Sequence, residues 1–308
     1  MKPNPAYNKK KNFILNLADT AALGPLLMLS SASLFAVLGA LIKIIGPSFS
    51  VWDIAFYRFC SGLVILPLIF GWRKNPFGGH NYRLLIIRGI TGSIAFLSLV
   101  VAIRLLPIST AMVLFYSFPA FAAIFSPLMF KEKISIPELS CVLVAIFGVT
   151  VLFDFSLQGS LFGQIMALLA AVAAGITVCM IKKLREQNGP VIIYLYFCLL
   201  GTIVTLPSYI ANPQIPRTPV ELLIVGGIVF TSITAQLLMN QGFQYCKSWE
   251  GGLYLTSELI FASIFGILIL GELVTWHFWT GGCMILGSAV AFNRFSARRM
   301  RHAANLKT

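Results

Sequence analysis

The sequence predicts an all-α polytopic membrane protein of ten transmembrane helices, arranged as two inverted five-helix repeats. Three observations predict it. First, 58% of the 308 residues are hydrophobic and 11% charged, with a mean hydropathy of +0.87, a balance that a soluble domain could not cover with polar surface. Second, Lys and Arg fall overwhelmingly on alternate connections. Third, Ser117 to Glu132 (SFPAFAAIFSPLMFKE) and Ser257 to Glu272 (SELIFASIFGILILGE) agree at seven of sixteen paired positions, 140 residues apart. Chance would give roughly one or two matches between apolar segments, so a duplication is the better explanation.

A helix of about 20 residues crosses ~30 Å of hydrocarbon. By that measure span 1 covers 22–45 and ends at Gly46-Pro47, and span 2 covers 52–71 before Asn75-Pro76. Pro removes a backbone donor and Gly permits a turn, so such pairs punctuate helices. Span 3 is 84–103 and span 4 is 108–130, closed by Lys131 and Lys133; span 5 is 137–154. The second half repeats the count. Span 6 is 159–182, span 7 is 190–210 behind Gly189-Pro190, and span 8 is 219–242 behind Asn212-Pro213. Spans 9 and 10 are 250–271 and 276–293. This leaves residues 1–21 as an amino-terminal tail, 22–154 and 159–293 as the two repeats, and 294–308 as a basic carboxy-terminal tail.

The tails and even-numbered connections hold 19 of the 23 Lys and Arg, for example Lys9 to Lys11, Arg83, Lys182, Lys183, Lys247, Arg298 and Arg299; the opposite face holds Arg104 and Arg217. The positive-inside rule makes both termini cytoplasmic. Topology, helped by anionic lipid, thus accounts for much of the net charge of +13, and nucleic acid is an unnecessary partner. The basic amino terminus and following apolar run read as span 1 rather than a cleaved signal peptide, because the run is long and nine more spans follow.

Six cysteines without a CxxC pair give no disulfide framework, and His80, His277 and His302 lack partners at ligand spacing, so neither a metal nor a cofactor is expected. There is no Gly-rich phosphate loop, no GxSxG elbow and no soluble insertion longer than about fifteen residues, so ATP is not the direct energy source and the chain is not expected to be an enzyme. An intramembrane enzyme or receptor is the competing class. The enzyme would need at least two convergent titratable groups, and one intramembrane carboxylate stands out. A conduit for a small-molecule solute fits better. Five helices per half is an odd number, so the second copy enters the membrane from the opposite side, the arrangement that supports alternating access around a midplane site.

The ending of span 4 (Pro119 to Glu132), its echo in span 9, the Gly-bearing spans 5 and 10 and the duplicated five-helix unit resemble the EamA domains of the drug/metabolite transporter superfamily across nearly the whole chain. Arg88-Gly89 with Gly92 at the start of span 3, followed by Leu106-Pro107 and Ser109-Thr110-Ala111, is similar to the branch of S-adenosylmethionine uptake carriers and solute-carrier 35G proteins. The resemblance implies a secondary transporter of amino acids and their derivatives, nucleoside-like cofactors or other metabolites, with S-adenosylmethionine the specific alternative. Where the family commonly has Glu-Pro in the second copy, this chain has Glu258-Leu259, which keeps the acid but loses the proline kink.

Glu258 lies about 12 Å along span 9 and is the acid most clearly within hydrocarbon, where ionisable groups are costly and usually line a cavity. It would permit proton coupling; its structural alternative is an acid bonded across helices or paired with Arg58. Arg58, about 9 Å inside span 2, has a forked guanidinium that could clamp a carboxylate or stack on an aromatic solute; the alternative is local pairing with Asp53 or Glu258. Span 8 carries Thr231, Ser232, Thr234, Gln236, Asn240 and Gln241, more hydrogen-bonding capacity than a lipid-facing helix tolerates, so one face looks inward and Gln236 is placed to read a polar solute. Tyr116 and Tyr254 each offer a hydroxyl with an aromatic face, or belong to the interfacial belt.

Lys43 is expected to snorkel to the outer interface, and Arg88 to sit at the cytoplasmic headgroups, orienting the chain or gating substrate. The Ala167, Ala171, Gly175 stripe reads as close packing within the chain, or as the seat of a second protomer in a homodimer. The expectation is therefore a multi-pass secondary transporter in the cytoplasmic (inner) membrane, its cavity lined by spans 2, 4, 8 and 9 in particular.

Overall fold

The computed structural model describes residues 5–46, 48–70, 76–106, 108–130, 134–152, 160–262, 264 and 276–305. Among them all regular structure is helical. The helices are α1 (Pro5–Ile45), α2 (Val51–Phe70), α3 (Tyr82–Leu105), α4 (Ile108–Phe115), α5 (Phe118–Phe130), α6 (Ile136–Leu152), α7 (Leu161–Leu184), α8 (Pro190–Ala211), α9 (Pro219–Gly242), α10 (Ser248–Leu255) and α11 (Trp276–Asn305). Seven described segments are long and apolar enough to cross a membrane: Ala22–Ile42, Val51–Phe70, Tyr82–Ala102, Ala111–Met129, Leu161–Leu184, Pro190–Ala211 and Pro219–Gly242. Ile136–Val151 and Trp279–Phe292 are apolar but shorter. The second half of span 9, with Glu272, and Glu132 at the end of span 4, lie outside the described residues.

Both ends are more helical than expected. α1 starts at Pro5, because no Gly or Pro interrupts residues 6–23, and α11 runs on to Asn305 through an equally unbroken stretch. α1 ends at Gly46, whose φ of 79° is the left-handed conformation that Gly adopts without penalty just past a helix.

The helices pack as pairs drawn from the two halves: α1 on α9, α3 on α7, α2 on α8, and α6 on α11. α7 is the central element, with 61% of its membrane window buried. Small residues bring it close to its neighbours. Ala167, Ala170 and Ala171 are fully buried, and a Cβ on Gly175 would lie 2.7 Å from Phe121 Cβ and 3.0 Å from the Ala122 backbone nitrogen. The Ala167, Ala171, Gly175 stripe is thus a seam inside the chain, with Gly175 against α5. On α2 and α8, Gly62 faces Cys198 and Gly201 faces Phe59 at equally short range.

Spans 4 and 9 are not single helices. α4 stops at Phe115 and α5 starts at Phe118; α10 stops at Leu255 and helix resumes at Glu258. The interruptions, at 116–117 and 256–257, fall 140 positions apart, the offset of the repeat. Pro119 explains the first, since Pro lacks a donor and disfavours helical geometry in the residue before it. The second has no proline, which corrects the expectation that losing it removes the bend. There the backbone tightens to i to i−3 bonds (Ser257 N to Tyr254 O, 3.1 Å; Leu259 N to Thr256 O, 3.2 Å), and the Thr256 hydroxyl donates to Leu253 O at 2.7 Å. Ser117 donates to Leu114 O at 2.6 Å in the first copy. Such back-bonding bends helices without proline. The interruptions meet, with Gly252 packed against Phe118 and Pro119.

Candidate functional site

Around these interruptions lies a cavity of about 320 Å³, at the small end of the ~300–1,000 Å³ usual for ligand pockets. Most of its wall is apolar, including Phe35, Phe96, Phe115, Phe118, Met112 and Met239; its polar groups are Arg58, Arg88, Tyr116, Thr177, Gln236 and Glu258. Spans 2, 4, 8 and 9 contribute as the sequence suggests. Spans 1, 3, 6 and 7 line it as well, through α1, α3, α7 and α8.

Glu258 opens the resuming helix beyond the second interruption, part of its surface open to the cavity. Tyr116, buried in the first interruption, donates its hydroxyl to the Glu258 carboxyl. The other acids with described side chains are occupied elsewhere. Asp53, Glu138, Glu221 and Glu250 reach back to the backbone nitrogens of Ser50, Ser135, Thr218 and Lys247 at 2.9, 2.7, 3.2 and 3.0 Å, capping four helix starts. Glu186 pairs with Lys183 at the surface. Among the described residues, Glu258 is therefore the cavity's carboxylate.

Arg58 Nη2 donates to Gln236 Oε1 at 3.2 Å, and its guanidinium carbon lies 5.5 Å from the Phe96 ring centre and 5.9 Å from those of Phe35 and Phe59. Such distances allow cation–π attraction. No ion pair within 4 Å joins Arg58 to Asp53 or Glu258 among the described residues, so its contact is the Gln236 amide. Gln236 is itself buried. Asn240 donates to Pro190 O at 3.1 Å, holding α9 against the start of α8.

Tyr254 is not in the cavity wall. Its ring packs edge-on against Phe292 of α11, 6.4 Å between centres, away from the other four. Residues 254 and 258 would share a face in an unbroken helix; the interruption at 256–257 separates them.

Arg88 differs from expectation. It is not at the headgroups but 1% exposed and part of the cavity wall, with its guanidinium carbon 4.3 Å from the Phe197 ring centre. α3 begins at Tyr82 behind the Asn81 cap, which puts Arg88 about 9 Å inside it. Gly89 and Gly92 give this placement its room. A Cβ at Gly89 would meet Leu200 at 2.6 Å and the Tyr196 carbonyl at 3.0 Å, and one at Gly92 would lie 2.5 Å from Arg88 Nη1. One glycine lets α8 approach; the other makes space for the guanidinium. The Arg-Gly-x-x-Gly spacing was the signal available in the sequence. The Lys43 side chain lies outside what the structure describes.

One end of the bundle is tied by polar groups. Arg185 donates through Nη1 to Asn188 O at 2.5 Å and through Nη2 to Gln241 Oε1 at 2.7 Å and to Gln244 Oε1. Asn188 Oδ1 accepts from His80 N at 2.7 Å. The ends of α7 and α9, the start of α8 and the loop before α3 are thereby joined. Tyr57 at the start of α2 donates to Gln214 O at 2.7 Å, beyond the end of α8.

The EamA-like transporter family matches this chain twice, over residues 22–154 and 161–294. Solute carrier family 35 member G1 of Homo sapiens is 27% identical over 86% of this chain and 76% of its own length. The pseudopaline exporter CntI of Pseudomonas aeruginosa is 25% identical over 90% of this chain and 98% of its own. The S-adenosylmethionine uptake transporter of Rickettsia bellii is 22% identical over 83% of this chain and 88% of its own. A solved crystal structure with 16% sequence identity superposes with a TM-score of 0.76, covering 90% of this chain and 98% of that one, which supports the fold. With apolar spans, a cavity among them and two family matches that together cover most of its length, the chain belongs to the EamA-like transporter family, in the drug/metabolite transporter superfamily, and is a membrane transporter rather than an enzyme.

Proposed function

We propose that this protein is a secondary transporter that moves a small organic metabolite across the cytoplasmic membrane by alternating access, with Glu258, Arg58, Gln236 and Tyr116 contacting the solute. The observation that carries the reading is their convergence on one cavity, where two interrupted helices from opposite halves meet. Interrupted helices at membrane depth are tolerated where they line a cavity. Two inverted five-helix repeats are supported by the pairings α1–α9, α3–α7, α2–α8 and α6–α11, a set that exchanging the halves leaves unchanged. The charge count supports cytoplasmic termini. Import and export are equally open to such a device, and Glu258 is the group that would carry a coupled proton.

S-adenosylmethionine, or a related nucleoside-like or amino-acid-derived metabolite, is the second reading. The similarity to the Rickettsia bellii transporter favours it, as does a wall that pairs charged groups with phenyl rings. The test is a metabolite comparison of cells with and without the gene, followed by counterflow of the labelled candidate into liposomes holding the purified protein. Accumulation of the unchanged solute is expected. A chemically altered product, or binding without flux, would overturn the reading. For coupling, Glu258→Gln should abolish the proton dependence of flux, and an unaltered pH profile would remove the acid from that role.

A further inference from the structure

We propose that Arg88 is the anion subsite of this cavity and takes the carboxylate of an amphipathic organic acid. Its guanidinium is buried to 1% exposure in the cavity wall, and two of its nitrogens, Nε and Nη1, have no hydrogen-bond partner in the protein. Buried donors left unmatched are costly, charged ones most of all. The Phe197 ring at 4.3 Å offers the cation a π face but accepts none of its directed hydrogen bonds. Arg58 reinforces the demand for an anion. It lies close enough for the two positive charges to act on one another, and its own Nε is also unmatched.

Against these two cations the cavity sets, among the described residues, a single carboxylate, Glu258, which Tyr116 already engages. One further negative charge balances the site. A planar carboxylate matches the guanidinium fork, and the phenyl rings of Phe35, Phe96 and Phe115 suit the apolar remainder of such a molecule. Gly92 belongs to the same device, because any larger residue there would occupy the space of Arg88 Nη1.

The inference rests on the transport reading only in taking the ligand to be the cargo, and it is tested by binding alone. Phenylacetate, its neutral isostere phenylacetamide and the cation phenethylamine are titrated against the full-length protein in lipid nanodiscs, with calorimetric readout. Phenylacetate should bind roughly tenfold or more tighter than the amide. Arg88→Gln should remove that preference, weakening the acid far more than the amide, and Arg88→Lys should restore part of it. Gly92→Ala, which displaces the guanidinium without removing it, should weaken phenylacetate selectively. Equal binding of acid and amide by the unaltered protein, which needs no variant to fold, overturns the proposal, as does an Arg88→Gln loss that affects both ligands equally. Carboxylate-selective binding with no flux of any solute would sink the transport reading and leave the subsite standing. Flux of a neutral or cationic solute, indifferent to phenylacetate, would do the reverse.

Discussion

Gly175→Ala is the most direct check on how the cavity wall is assembled. The added methyl would lie 2.7 Å from Phe121 Cβ and 3.0 Å from the Ala122 backbone nitrogen, so neither neighbour can yield by rotating a side chain. Overpacking of this kind costs about 1–3 kcal/mol, while Gly to Ala within a helix returns ~0.5–1 kcal/mol. Gly226 in α9 supplies the control, since a Cβ there meets nothing within 4 Å and only the helical gain remains. The two variants should therefore differ by about 1–3 kcal/mol, the cost of the contact. At roughly 2–4 °C per kcal/mol for a chain of this general size, that separates their melting midpoints by several degrees. The assay is thermal denaturation of purified protein in one detergent at one scan rate, which keeps an irreversible transition comparable between variants. The preceding and following turns of α7 place Ala174, Thr177 and Val178 in the cavity, so Gly175→Ala should also lower solute binding. Coincident melting curves for the two variants would refute the close approach of α7 and α5, and with it this account of the wall.

Three further outcomes are expected. Tyr254→Phe should leave solute affinity unchanged, because that hydroxyl is outside the cavity wall; a loss measured by the binding titration would return Tyr254 to the site. Arg185→Gln removes donors that join the ends of α7 and α9, so opening of that end should become about ten- to a hundredfold more frequent. The rate at which the buried Cys246 thiol is alkylated reports it, and an unchanged rate would show that the network does not hold that end shut. Single cysteines placed at Gly78 and Gln214, both exposed, should react with an impermeant maleimide on opposite sides of the membrane, with Gly78 protected in intact cells; the reverse pattern would invert the topology drawn from the basic residues.

Hydropathy located the apolar stretches because burying backbone in lipid requires long helices, and it located Glu258 because an acid at that depth is conspicuous. It misjudged Arg88, whose depth depends on where α3 begins and on the room left by Gly92, neither of which a hydropathy window reads. The Tyr116–Glu258 contact was legible only in part. Each residue stood out alone, but their hydrogen bond joins chain positions far apart and depends on two helices breaking where they cross. Tyr254 shows the converse: its hydroxyl and ring made it a candidate by residue type, but the interruption at Thr256 and Ser257 sets it apart from Glu258 and its ring packs against Phe292 of α11. The long helical ends were missed because hydropathy marks where a helix leaves the lipid, not where it stops.

The two interruptions occupy matching positions but are made differently, and the difference bears on what each contributes. The first uses Pro119, which enforces the break through missing backbone chemistry and leaves Phe118 as an apolar lining residue. The second uses the Thr256 hydroxyl and puts Glu258 at the corresponding site, in the first turn of the resuming helix. The Leu259, Ile260 and Phe261 N–H groups of that turn are already bonded to the Thr256 and Ser257 carbonyls, so the acid's partner is the Tyr116 hydroxyl from the other interruption. The acid thus stands where motion of either half would be felt: a rotation that parts the interruptions breaks the Tyr116 bond, while a solute cation or a proton arriving at Glu258 competes for the same oxygens. Had the second copy kept the side chain of the first, the described cavity wall would hold the buried Arg88 and half-buried Arg58 guanidiniums without a carboxylate. Among the described residues, the asymmetry supplies the negative group that offsets the Arg58 and Arg88 guanidiniums in the cavity wall.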